Sequence, residues 1–367
     1  MALSGLWSTT APFNRWQRAQ FTGRNEKDPI LPKVLITGSA GFIGYHLGRM
    51  LLDEGFEVIG YDAMTDYYDV NLKRRRHAML LQSARFSAVE ARLEDHAALS
   101  SLFAQEKPDV VVHLAAQAGV RYSLENPRSY LESNLIGTFN VLECAREFAV
   151  GHLLMASTSS VYGANTVMPY SEKQQTDHPL TFYAATKKSN EIMAHSYAHL
   201  WTLPVTMFRF FTVYGPWGRP DMALYKFVKG ILEQKPIDVY NHGEMYRDFT
   251  YVTDLVRAIR LLIDAVPYRT QDAATIPDWD TLSPVAPFRV VNIGNCDKVK
   301  LTDFIDAIER ECGHQAIRRY LDMQMGDVPA TWADATQLRE LTGYTPTTRF
   351  DEGVRAFVAW YRDYFSA

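Results

Sequence analysis

From Lys33 onward, apolar positions along the chain fall into two alternating patterns. Short runs with consecutive apolar positions, KVLITG, FEVIGYD, RFSAV, DVVVHLAA, HLLMAST and PVTMFRFF, are separated by longer stretches such as FIGYHLGRMLLDEG, where apolar residues recur at helical spacing. A strand that is apolar on both faces belongs in a parallel sheet covered by helices on both sides; a half-solvated antiparallel strand would alternate instead. The pattern therefore predicts an α/β fold, a doubly wound parallel sheet.

Beyond about Tyr214 the texture changes. GPWGRPDM leads to a helical ALYKFVKGILEQ, and residues 266–287 are rich in Pro and Asp. A short strand FRVVNIG, a helix LTDFIDAIERECG and a terminal helix FDEGVRAFVAWYRDYF follow. The expected organisation is an N-terminal extension at 1–32, a main sheet domain at 33–214 and a smaller α/β substrate-binding domain at 215–367, with the chain free to cross between the last two. The substrate is expected between them. The extension carries Trp7, Phe13, Trp16 and Phe21 without a clear period and reads as a surface strap.

Composition narrows the class. The 367 residues are 47% hydrophobic, too apolar for a disordered chain. A net charge of -4 argues against a nucleic-acid partner, and the basic run Lys73 to His77 (KRRRH) reads as a solvated helix start. Cys144, Cys296 and Cys312 lack CxxC spacing and leave an odd thiol, which fits a reducing compartment rather than a disulfide framework or a zinc site. With no apolar run near the ~18 residues that span a bilayer, no membrane partner is expected and the location reads as cytoplasmic.

The first strand runs into TGSAGFIG, which places Gly38, Gly41 and Gly44 in GxxGxxG spacing around Phe42 and Ile43. Small residues there permit a tight turn and close approach of a pyrophosphate to backbone N–H groups at a helix start. The next strand ends in Asp62, near the ~20-residue spacing of a ribose-binding acid. A carboxylate at that point accepts from both ribose hydroxyls and repels a 2′-phosphate, so NAD is the expected cofactor. The neighbouring Lys73, Arg74, Arg75 and Arg76 keep NADP open.

FYAATKKSNE sets Tyr183 and Lys187 four apart on one helical face. A phenol near pKa ~10 is a poor base at neutral pH, but a nearby ammonium and an oxidised nicotinamide both favour the phenolate. The strand end STSSVYG, Ser157 to Gly163, adds hydroxyls able to bond the substrate oxygen being deprotonated. His46 and His113 read as core residues, and no cluster suggests a metal.

At this point the chain resembles the extended short-chain dehydrogenase/reductases, which carry a Rossmann fold, and within them the UDP-glucuronate 4-epimerases. The segments that carry the resemblance are TGSAGFIG, HLAAQAGVRYS, NLIGTFNVLE, STSSVYG, YAATK, FFTVYGPWGRPDMA and RDFTYVTD, spread from about Lys33 to the C-terminus. The resemblance implies NAD-dependent epimerisation of UDP-glucuronate to UDP-galacturonate at C4 through a transient 4-keto sugar. In that scheme Thr158 supplies the hydroxyl, Tyr183 is the base and Lys187 its partner, while Leu93 joins the cofactor site. Arg121 and Arg219 lie near the sugar, Arg247 and Asp327 reach the UDP, and Ser159 and Ser160 bond the carboxylate. Arg92 stands where the family usually has an aspartate near the adenine, so stacking on the adenine and approach to a 2′-phosphate both stay open.

Rival readings share parts of this site. Sugar-nucleotide dehydratases resemble STDEVYG, whereas this chain has Ser159 and Ser160 at the Asp-Glu positions. Another UDP-sugar 4-epimerase, a UDP-uronate decarboxylase and a non-catalytic NAD-binding regulator complete the alternatives. YLESNLIGTFNVLECAREF and YAATKKSNEIMAHSYAHLW read as helices with apolar residues beyond one face, which suits a homodimer packed through four helices.

Overall fold

The computed structural model describes residues 31–365, so all but Leu31 and Pro32 of the expected N-terminal extension lies outside the described residues. Six of the apolar runs are strands: β1 (Lys33–Thr37), β2 (Glu57–Asp62), β3 (Phe86–Glu90), β4 (Val110–His113), β5 (His152–Thr158) and β6 (Val205–Phe210). They pair in parallel in the order β6-β5-β4-β1-β2-β3, with Val34 of β1 opposite Val58 on one side and Val110 on the other. Between them run α1 (Phe42–Asp53), α2 (Val70–Leu80), α3 (His96–Glu106), α4 (Gly137–Glu147) and α5 (Phe182–Trp201).

Alternation along each strand splits the core in two. Val34, Ile36, Val58, Val110, Val112 and Leu154 face the layer that contains α1. Leu35, Ile59, Val111, Leu153 and Met155 face the layer of α3, α4 and α5. Both faces are therefore covered, as the continuous apolar runs predict. Strand order reverses between β1 and β4, where Thr37 and His113 stand side by side at the carboxyl ends. Open parallel sheets bind ligands in the crevice at such a reversal.

After β7 (Thr212–Tyr214) comes the smaller layer: α6 (Ala223–Leu232), β8 (Ile237–Tyr240), β9 (Tyr246–Arg247) and β10 (Phe249–Tyr251). The chain then recrosses. Helix α7 (Val252–Asp264) packs Leu255, Ile259 and Leu262 into the core beside α1. FRVVNI, expected in the smaller domain, is instead β11 (Phe288–Ile293), the seventh strand of the main sheet, in register with β6 from Phe288↔Val205 to Ile293↔Phe210. Every residue of β11 is buried, although it is the edge strand of that sheet.

The rest of the chain completes the small layer with β12 (Val299–Lys300), α8 (Leu301–Cys312), β13 (Arg318–Leu321), β14 (Ala330–Thr331), α9 (Thr336–Thr342) and α10 (Phe350–Phe365), although α9 buries Leu338 in the main core. β13 pairs with β8, and β9 lies between β12 and β14. Phe249 and Phe304 stack 3.9 Å apart at its centre.

The basic run departs from its expected role. Lys73 and Arg76 are buried, and only part of KRRRH faces water. In α2 the positions 73, 76 and 80 share one face, and Leu80 is also buried, so two cations sit in the inward stripe of the helix.

Candidate active site

At the carboxyl ends of the strands, a cleft of about 1340 Å³ opens between the sheet and the smaller layer. Its floor is the glycine turn. Gly38 has φ +76, and a Cβ there would lie 2.8 Å from the Ala115 nitrogen; a Cβ on Gly44 would lie 2.2 Å from the Gly38 oxygen. Larger residues would force the turn apart. Gly41 precedes α1 without a side-chain cap, so the first N–H groups of this 12-residue helix lack a side-chain acceptor where Gly41, Phe42, Ile43 and Gly44 line the cleft. Such an end takes an anion.

Asp62 stands beside that turn. Its Oδ2 accepts from the Ala40 N–H at 3.0 Å and its Oδ1 from the Met64 N–H at 2.9 Å. Each carboxylate oxygen has two lone pairs, so the ribose hydroxyls of a dinucleotide still find acceptors. Leu93 lies on the same wall, its carbonyl fixed by Asn140 Nδ2 at 2.8 Å. Arg92 directs its guanidinium to Glu94 at 3.2 Å. The uncapped helix, the tight turn and the acceptor-rich Asp62 fit an NAD-type dinucleotide.

Tyr183 and Lys187 lie one turn apart in the first half of α5, which starts at the Thr181 cap: Thr181 Oγ1 accepts from the Ala184 N–H at 3.2 Å. Burial raises the Tyr183 phenol above its ordinary value, while a hydrogen bond with Thr158 and the Arg219 charge pull it back. Lys187 donates to the Ala156 carbonyl at 2.9 Å, and burial lowers it to about 8. Lys187 is expected to favour the phenolate; in the protein alone it is Thr158 and Arg219 that oppose the burial. Thr158 Oγ1 also accepts from the Ser160 N–H at 3.2 Å and donates to Ser160 Oγ at 3.2 Å, and Ser159 lines the cleft beside them.

Arg219 enters the cleft in a bidentate pair with Asp221, Nε to Oδ1 at 3.0 Å and Nη2 to Oδ2 at 2.5 Å. Burial disfavours both charges, but their attraction wins and holds Arg219 above and Asp221 below its usual range. Tyr67 donates to the same Asp221 oxygen at 3.3 Å. Further along, Arg121 pairs with Asp327 at 3.1 Å and lies over the Tyr240 ring at 4.6 Å. Arg247 lies close enough to both for their charges to act on it. The structure thus brings Arg121, Asp327 and Arg247 together at one end of the cleft and Arg219 with Tyr183 at the other.

Sequence reasoning missed several of these groups. Asp221 had a local signal, a carboxylate two residues after Arg219. Asp248, fully buried next to Arg247, accepts from the N–H groups of Asn295 (2.8 Å), Cys296 (3.0 Å) and Ala333 (3.1 Å), a junction of three distant segments with no local signal. His113 bonds Thr37 at 2.7 Å and Thr138 at 3.0 Å, and burial lowers its ring to about 3, so it is a neutral core residue. His46 bonds the Pro216 carbonyl and is lowered to about 4. Among the described residues no cluster able to hold a metal occurs.

A model of the NAD dependent epimerase/dehydratase family matches residues 34–272. A probable UDP-glucuronate 4-epimerase of Rhizobium meliloti is 55% identical over 329 residues, 90% of this chain and 96% of that protein. UDP-glucuronate 4-epimerase 4 of Arabidopsis thaliana is 44% identical over 338 residues, 91% of this chain and 76% of that protein. The crystal structure of UDP-glucuronic acid 4-epimerase from Bacillus cereus in complex with UDP-glucuronic acid and NAD superposes with a TM-score of 0.80, at 32% identity, over 90% of this chain and 99% of that one.

Proposed function

Because the chain belongs to the NAD dependent epimerase/dehydratase family, we propose that its cleft is the active site of an NAD-dependent UDP-glucuronate 4-epimerase, which interconverts UDP-glucuronate and UDP-galacturonate. The observation that carries this reading is the half-buried Arg219 beside the Tyr183 phenol, a cation for an anionic sugar at the centre of proton transfer. Bound NAD supplies the acceptor, and then the donor, for the sugar's C4 hydride.

The residues divide the remaining work. Tyr183, bonded by Thr158, takes the proton of the 4-hydroxyl and later returns it. Lys187, one turn further along α5 and tied to the Ala156 carbonyl, is assigned as the partner of Tyr183. Arg219 holds the C6 carboxylate with Ser159 and Ser160, keeping it from leaving while the 4-keto group sits β to it. The Arg121, Arg247 and Asp327 cluster holds the UDP, 215–367 serving mainly as the nucleotide-sugar layer and 33–214 as the cofactor layer, with β11 returned to the latter.

Incubation of the purified protein with UDP-glucuronate, with products resolved by chromatography, tests the reading. Formation of UDP-galacturonate without net change in NAD supports it; conversion of UDP-glucose but not of UDP-glucuronate would overturn it. Asp62→Ala should release NAD on gel filtration, because the ribose hydroxyls lose charge-assisted partners worth ~1.5 to 3 kcal/mol. Quantifying dinucleotide per chain after acid extraction checks this, and NADP in the wild-type extract would refute the reason given for Asp62.

The same reading includes a homodimer in a reducing, cytoplasmic setting. All three cysteines are free, and no helix among the described residues is long and apolar enough to cross a membrane. Leu131, Ile136 and Phe139 on the α4 side and Ile192, Leu200 and Trp201 on α5 are exposed apolar residues, which a second copy's matching helices would cover.

A further inference from the structure

Arg76 is fully buried in α2 and, among the described residues, makes no ion pair with a carboxylate. Its Nη1 donates to the Ala40 carbonyl at 3.1 Å and to Tyr68 OH at 2.9 Å, its Nη2 donates to the Trp217 carbonyl at 2.5 Å, and its buried Nε has no partner. A buried charge held only by neutral acceptors is costly. The two carbonyls it joins lie in different parts of the site: Ala40 is in the glycine turn, and Trp217 lies two residues before Arg219.

The Trp217 end of the bridge is itself unusual. Trp217 has φ 62, left-handed backbone that a bulky residue seldom adopts. What holds it there surrounds it: the Tyr45 ring at 5.8 Å, Trp360 and Tyr364 of α10 at 5.4 and 5.2 Å, His46 on the preceding Pro216 carbonyl at 2.9 Å, and Arg76 on its own carbonyl. Arg76 is the member of this set whose side chain also bonds the glycine turn, at the Ala40 carbonyl.

We propose that Arg76 is a positioning residue that registers the cofactor turn against the Arg219 loop, and that its unpaired charge is balanced by the dinucleotide pyrophosphate this turn admits. Arg76 touches neither substrate nor reacting atoms. It fixes the distance between the wall that holds the cofactor and the cation that meets the sugar carboxylate. The first half of the inference rests on the uronate reading above; the second rests only on dinucleotide binding.

Arg76→Gln and Arg76→Lys, purified as full chains beside wild type, test it. Three quantities are read: NAD retained per chain after gel filtration, the shift in thermal midpoint on adding NAD, and the products formed from UDP-glucuronate by mass analysis. Arg76→Gln should lose NAD affinity by about ten- to a hundredfold, the range for hydrogen bonds to a charged group, and show a smaller NAD-induced midpoint shift. Arg76→Lys keeps the charge but cannot fork to both carbonyls. It should retain NAD better than Arg76→Gln yet lower kcat more than it changes KM, and leak a decarboxylated UDP-4-keto-pentose.

A plain structural brace would lower the midpoint equally with and without NAD and leave NAD content and product ratio at wild-type values; that result would overturn the proposal. If Arg76→Gln does not fold, Arg76→Lys decides: wild-type kcat and a clean epimer product overturn it. A wild-type protein that binds NAD but does not convert UDP-glucuronate refutes the uronate reading, while NAD retention in the variants still decides the role of Arg76 at the cofactor turn.

Discussion

Tyr183→Phe should lower the epimerisation rate by about 10²- to 10⁴-fold, the usual contribution of a positioned acid-base group, while UDP-glucuronate still binds. The phenyl ring fills the same space beside Tyr130, whose ring centroid is 6.0 Å away, so the helix and the cleft keep their shape. What is lost is the only atom of that side chain able to take a proton. Burial alone would make the phenol a worse base, and the site counters it with the Thr158 hydrogen bond and the Arg219 charge, to which an oxidised nicotinamide would add. Isothermal titration with UDP-glucuronate, run beside the rate assay, separates binding from turnover. A variant that retains near-normal kcat would remove Tyr183 from the mechanism.

Arg219→His has the second largest expected effect, and it changes the product as well as the rate. One edge of the Arg219 guanidinium, Nε and Nη2, is already engaged by Asp221, which holds the side chain in one orientation and leaves Nη1 outside that pair. A carboxylate fixed from that side keeps its C5–C6 bond away from alignment with the neighbouring 4-keto group, the alignment that loss of carbon dioxide requires. Histidine is shorter, cannot keep two bonds to Asp221 while meeting a carboxylate, and when neutral leaves Asp221 as an unbalanced anion facing an anionic sugar. kcat/KM for UDP-glucuronate should fall by about ten- to a hundredfold, with part of the turnover ending as carbon dioxide and a UDP-4-keto-pentose. A folded variant that yields only the epimer would refute the assignment of Arg219 to the carboxylate.

Both substitutions act on residues whose identity was legible in short segments, and the reason is local. Tyr183 and Lys187 share a face because a helix repeats every 3.6 residues, and the Gly38, Gly41 and Gly44 turn needs no distant partner to be recognised. Five of the six strands from Lys33 to Phe210 were legible for a related reason: a parallel strand buried on both sides is apolar nearly throughout, whatever it packs against, whereas the edge strand β3 buries only Phe86 fully. Asp62 follows from the second strand's end.

Other features depend on which segments meet. FRVVNI looks like any short apolar strand, and only the unpaired edge of β6 decides that it joins the main sheet. KRRRH looks solvated because Lys and Arg usually are, yet Arg76 is enclosed because Ala40 and Trp217, 36 and 141 residues away in sequence, present carbonyls to it. Arg121 and Asp327 are 206 residues apart and form one pair at the cleft mouth. The periodicity and turn chemistry of the chain thus determined the sheet, the cofactor turn and the Tyr183 helix. Tertiary structure alone decided the partners of its buried charges, because a charge taken out of water must be met by groups that only the closed fold brings within reach.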